Sequence, residues 1–163
     1  MATKCLQCRH AMTTRREHVR YDASGLPGVT LVGVEVSRCA HCGEYELAIP
    51  HIADLHRVMA HAVVRKSSRL TPAEIRFLRR SLGWSGRDFG DHMGATAETV
   101  SRWENGRAAM GAQADRLLRL LVLHRQPAPS YDLAEMKRIA RQDATDLHTR
   151  LVPTDTGWAA EAA

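Results

Sequence analysis

The stretch TVSRWENGR, Thr99–Arg107, decides how the chain is read. Thr96, three residues upstream, is suited to cap a helix, and Gly106 to stop it in the left-handed conformation. Between them Val100 and Trp103 lie three apart on one face, a core-facing pair. Glu98 and Arg102 lie four apart on another face, with Ala97 nearby, and point outward. The helix therefore presents an apolar side to the protein and a polar side to something else.

Upstream, LTPAEIRFLRRSLGW carries Thr71 as N-cap, Pro72 at the first helical position and Glu74 to complete a capping box, with Ile75, Leu78 and Leu82 as its buried stripe. Gly83 ends that helix. Ser85 then caps a shorter one, with Asp88 three residues on and Phe89 and Met93 inward, and Gly94 turns the chain into Thr96. Two short capped helices followed by a third make a helix-turn-helix layout, in which the third helix enters the DNA major groove. A fourth helix is expected from about Ala112 to His124 on Leu117, Leu118, Leu120, Leu121 and Leu123. Residues 67–126 hold 10 basic and 6 acidic side chains, the most positive part of a chain of net charge +5, which suits a polyanion.

The run from Leu70 to Arg107 resembles the Cro/CI (Xre-type) helix-turn-helix family, above all in WENG and the Thr-x-x-Thr-Val-Ser-Arg-Trp pattern before it. The resemblance implies a lambda-repressor-like all-α domain. It implies that Ala97, Glu98 and Arg102 face bases with Ser101 beside them, and that Ser85, Arg87, Thr96, Asn105 and Arg107 lie near phosphates. It also pairs Arg79 with Glu104 to hold the third helix. Arg102 is the strongest single candidate, since a guanidinium can fork onto guanine O6 and N7. Two positions depart from the family: Gly86 stands where a DNA-contacting Gln is common, and Glu98 repels phosphate while able to accept from cytosine N4.

All four cysteines lie before residue 43, as two CxxC pairs, Cys5 and Cys8, then Cys39 and Cys42. Two such knuckles brought together by a hairpin place four thiolates around one structural zinc ion. Strand-like runs at Glu17–Tyr21 and Val29–Val36, joined by DASGLPG, supply the hairpin. Its apolar content is too small for an independent core, so a metal staple is expected. A redox CxxC would open a helix in a βαβ unit, which is missing. His10 and His41 are nearby alternatives as ligands, but four cysteines already complete the set. A closed all-thiolate site has no open position for catalysis, and no HExxH pattern occurs, so no enzyme is expected.

Ile52, Leu55, Met59, Ala62 and Val63 mark a connecting helix, which packs on the next domain or contributes to a dimer seam. The polar N-terminus and the absence of about 18 consecutive apolar residues lead to the expectation of a cytoplasmic protein with no membrane partner. After the breaker PAPS at 127–130, YDLAEMKRIARQDA is a candidate helix, and PTDTGWAAEAA is expected to be disordered. The expected fold class is thus α+β: a zinc-bound β-hairpin domain at 1–50, a connecting helix at 51–68, a helix-turn-helix domain at 69–126 and an extension at 127–163.

This combination is similar to the MqsA-type antitoxins with YgiT-type zinc fingers, over roughly residues 4–125. The resemblance implies an N-terminal domain that grips an mRNA-cleaving toxin and a homodimeric DNA-binding domain that represses its own operon from a palindromic operator. The alternative is a stand-alone zinc-containing Xre-family regulator with no toxin partner.

Overall fold

A computed structural model describes residues 4–125 and 143–161. Strand β1 (Met12–Arg20) pairs antiparallel with β2 (Val29–Cys39), Met12 opposite Cys39 and Arg20 opposite Thr30. Both strands run further toward the cysteines than expected, and this extension carries the two knuckles to one end of the sheet. A bulge between Glu17 and Val19 sets His18 against the Val32–Gly33 step, where Gly33 takes φ +66° and its N–H donates to His18 Nδ1 at 3.1 Å. The extra residue shifts the strand's alternation. Val29 and Leu31 before it, and Val34 and Val36 after it, consequently all turn into the core.

Strand β3 (Tyr45–Ala48), an addition to the expected hairpin, pairs with β2 at Glu35–Arg38. Helix α1 (Ile52–Arg65) follows, burying Leu55, Met59, Ala60, Val63 and Val64. Then come α2 (Pro72–Ser81), α3 (Gly86–Met93), α4 (Ala97–Glu104) and α5 (Ala112–Arg125). Capping boxes open α2, from Thr71 and Glu74, and α3, from Ser85 and Asp88, while the Thr96 side chain caps α4.

The end of the chain corrects the expectation of disorder. Strands β4 (Thr149–Thr154) and β5 (Gly157–Ala160) form a hairpin, and β4 joins β2 in parallel, Val29–Leu31 against Thr149–Leu151. The reason is burial of two side chains in a polar-looking segment: Leu151 is fully buried and Trp158 nearly so. Trp158 Nε1 donates to the Pro50 carbonyl at 2.8 Å, and its backbone N–H donates to Asp54 Oδ2 at 2.6 Å. Of the helix expected at 131–144, residues 131–142 lie outside the described residues.

Helix α5 buries a different stripe from the leucine-rich one. Asp115, Leu118, Arg119 and Val122 point inward, whereas Leu117 and Leu120 are 40% and 39% exposed. The charged members form a fully buried pair, Arg119 Nε to Asp115 Oδ1 at 2.6 Å. Arg119 also donates to the carbonyls of Val64 at 2.9 Å, Ser68 at 2.8 Å and Lys66, and Asp115 Oδ2 accepts from Leu70 N at 2.7 Å. The pair thereby holds the whole link between α1 and α2.

Removing one member strands a buried charge and several carbonyls or an amide. Asp115→Ala is expected to lower unfolding free energy by about 3–5 kcal/mol. Arg57→Ala, which breaks only an exposed pair with Asp54, should cost about 1 kcal/mol or less. Urea denaturation of the two variants beside the parent checks the contrast.

Candidate metal centre and nucleic-acid interface

The two knuckles have matching backbones. Cys5 N donates to the His10 carbonyl and Cys39 N to the Glu44 carbonyl, while Arg9 N and Gly43 N return bonds to the Cys5 and Cys39 carbonyls, all at 2.9–3.0 Å. Equivalent residues after the second cysteine of each pair, Arg9 and Gly43, take positive φ of 65° and 77°. The tight turn thus recurs in both, with glycine meeting it without strain in only one.

All four Sγ atoms lie within 4.8 Å of one another, Cys5 to Cys42 at 3.6 Å and Cys8 to Cys39 at 3.4 Å, and none is in a disulfide. A tetrahedron of thiolates at the usual Zn–S length of 2.3 Å has edges of about 3.8 Å, so the donor set fits one structural zinc ion. Electrostatics agrees with a cation at the centre. The Cys42 and His41 backbone N–H groups lower the Cys39 thiol to about 6, against burial. For Cys8 the His10 N–H favours the thiolate, but burial and the neighbouring sulfurs outweigh it and push the thiol up to about 12. Without a cation the sulfurs resist sharing more negative charge; a zinc ion removes that repulsion. His10 and His41 stack outside this set, ring centroids 3.8 Å apart, on the exposed side.

In the helical part α3 and α4 meet at a close turn. The Gly90 carbonyl accepts from Ala95 N at 2.9 Å, and a Cβ on Gly90 would sit 2.5 Å from the Ala95 carbonyl oxygen. Val100 and Glu104 of α4 are buried, and Trp103 packs edge-on to Phe89. Ala97, Glu98, Ser101 and Arg102 are exposed together on the opposite face. Ser85, Arg87, Thr96, Asn105 and Arg107 are exposed at the helix ends around it. Beneath, Arg79 grips Glu104 with Nε at 2.5 Å and Nη2 at 3.1 Å, and its Nη1 donates to the Trp84 carbonyl at 2.7 Å. Hydrogen bonding to Glu104, helped by its charge and against the cost of burial, holds the Arg79 guanidinium above its ordinary value.

A family model described as the antitoxin component of a bacterial toxin-antitoxin system, MqsA, matches residues 3–130. The chain belongs to this antitoxin family. A comparison with curated proteins finds no match. The matched span contains both cysteine knuckles and WENG, and it ends before β4 and β5, so this MqsA-family antitoxin carries its sheet-completing hairpin outside the region that defines the family. Among its described residues no helix is long and apolar enough to cross a membrane.

A residue not among those expected from the sequence, Arg76 of α2, reaches the end of α4 in this antitoxin. It shares the Glu104 clamp, donating from Nη2 to the Glu104 carbonyl at 2.8 Å. Its spacing of three from Arg79 puts both on one face of α2, which is the signal that could have found it.

Two outcomes check these sites. Stripping the metal with a chelator should collapse the NMR signals of the two knuckles, residues 4–12 and 37–44, while β2 at Val29–Val36 and α2, α3 and α4 keep theirs, because the core they share does not involve the sulfurs. Loss of all signals together, or of none, would contradict a local staple. Gly90→Ala should destabilise by about 1–3 kcal/mol through its contact with Ala95. Gly86→Ala, with nothing within 4 Å of the added atom, should be tolerated in the same melts.

Proposed function

We propose that this antitoxin is a sequence-specific DNA-binding repressor that silences its own operon and neutralises an mRNA-cleaving toxin. The observation that carries the DNA half is the outward face of α4, Ala97, Glu98, Ser101 and Arg102, on a helix whose buried side is fixed by the Arg79–Glu104 pair. Base edges are read by Arg102 and its neighbours, while Ser85, Arg87, Thr96 and Arg107 position the phosphate backbone; Asn105, expected among them, has its side-chain amide bonded to Arg76 and Ser101. One small helix-turn-helix covers too little surface for specificity. A homodimer presents two such helices about one DNA turn apart, on a palindromic site. Leu117 and Leu120, exposed on α5, supply apolar surface for the second copy.

The toxin is held by the zinc-bearing unit, residues 1–50, and the two units are functionally separate surfaces joined at 51–68. Supporting this, Leu6 in the first knuckle is 79% exposed and Tyr45 on β3 is 51% exposed, apolar surface that a protein partner would cover. The zinc site serves structure and not catalysis, since four thiolates fill a tetrahedral shell.

Selection from a randomised duplex pool tests the DNA half. Arg102→Ala should weaken binding to the selected duplex by about 1–3 kcal/mol, with a smaller loss on random DNA. Equal losses on both would remove Arg102 as a base reader. Co-expression with the product of the adjacent reading frame tests the toxin half: a stable complex that Leu6→Asp weakens is expected. Failure to form any complex would leave a stand-alone zinc-containing regulator.

A further inference from the structure

Arg76 reaches from α2 to the end of α4 and touches a side chain as well as the backbone there. Its Nη2 donates to Asn105 Oδ1 at 3.1 Å. Asn105 Nδ2 in turn donates to the Ser101 carbonyl at 2.8 Å and to Ser101 Oγ at 3.2 Å. A guanidinium has donors and no acceptor, so the amide turns its oxygen toward Arg76, and the Ser101 carbonyl, which can only accept, holds the NH2 on the other side. The Ser101 oxygen then receives a hydrogen bond, and its own proton is directed elsewhere. With the amide turned the other way, Ser101 would give its proton to Asn105 and offer only lone pairs outward.

We infer that Arg76 is a positioning residue that sets the polarity of Ser101, so that the groove-facing side of α4 offers an O–H donor to a base acceptor. This rests on the DNA-reading role proposed above. In the major groove the acceptors are guanine N7 and O6, adenine N7 and thymine O4, whereas cytosine presents its N4 amine. A base that presents an acceptor opposite Ser101, a purine or thymine, is therefore favoured over cytosine, which finds only the single lone pair that Asn105 leaves free. Arg76 is engaged with α4 through Nη2 and through Nε, which lies 3.5 Å from the Glu104 carboxylate, so it acts through Asn105 and not by touching DNA.

Duplex selection with the full chain tests the inference. The wild type should disfavour cytosine at one position per half-site, and both Arg76→Ala and Ser101→Ala should relax preference at that same position. Each should lose about tenfold on the selected duplex, with the double variant no worse than either alone, random-DNA affinity unchanged and the salt slope unchanged. Arg76→Lys, which keeps a donor, should restore the preference. A salt slope lower by about one with equal losses on all DNA would make Arg76 a phosphate contact and overturn the proposal. So would additive losses, or an unaltered base preference.

A DNA-free arm separates this from failure of the DNA reading. The Asn105 side-chain amide signals should be resolved and slowly exchanging in the wild type and in Arg76→Lys, and averaged in Arg76→Ala, while the backbone signals of Phe89 and Val100 stay put. Unchanged Asn105 signals in Arg76→Ala overturn the proposal whatever the DNA does. A wild type that enriches no duplex, with the amide signals behaving as expected, overturns the DNA reading and the role of Ser101 while leaving the Arg76–Asn105 link in place.

Discussion

A guanidinium with no exposed surface must find a partner for its N–H groups, and Arg119 finds them in Asp115 and in the carbonyls of Val64, Lys66 and Ser68. This is an expensive way to fasten a linker, because both charges leave water. Its effect is geometric. The extended link from the end of α1 to the start of α2 cannot slide or swing while its carbonyls are held, so the sheet carrying the sulfurs and the helices carrying α4 keep one relative arrangement. Glu74 reinforces the same point: besides closing the α2 cap, it accepts from Lys66 at 2.5 Å and from Leu147 N at 3.0 Å.

Around that fixed link the two ends of the molecule are stabilised by different physics. At the sheet's far end the apolar side chains are few, with Met12 packed against Cys5 and Cys39, and thiolate chemistry replaces core volume. In the helical part, caps and a buried acidic residue between two arginines do the corresponding work. A main core connects them without a break, running from Val29 and Leu31 in the sheet through α1 to Phe89 and Val100.

What was legible in the sequence follows short-range rules. Thr71, Ser85 and Thr96 announce their helices because a cap and its target amide lie within three residues, and two CxxC pairs identify a metal site because ligand type and spacing are local. The faces of α4 follow from helical period alone. What was hidden depends on distant partners. Trp158 reads as a stray aromatic until Pro50 and Asp54, more than 100 residues away, are placed against it. Asp115 and Arg119 have the i,i+4 spacing of an exposed solubilising pair, and nothing local shows that carbonyls of the linker will bury them. Leu117 and Leu120 misled for the converse reason, since apolar type does not say which stripe of a leucine-rich helix faces inward.

The parallel pairing of Val29–Leu31 with Thr149–Leu151 spans 120 residues of chain. During synthesis, at 5–20 residues per second, about 6–24 s pass between the emergence of the first strand and that of its last neighbour. For that interval the Val29–Leu31 end of the central strand has an open edge, while its opposite end, at Cys39, carries sulfurs able to take up metal. Nascent chains therefore pass through a stage in which the sheet has an unfilled edge while the helices that follow it are already made. Any partner that recognises this sheet meets, on the ribosome, a surface different from the finished one.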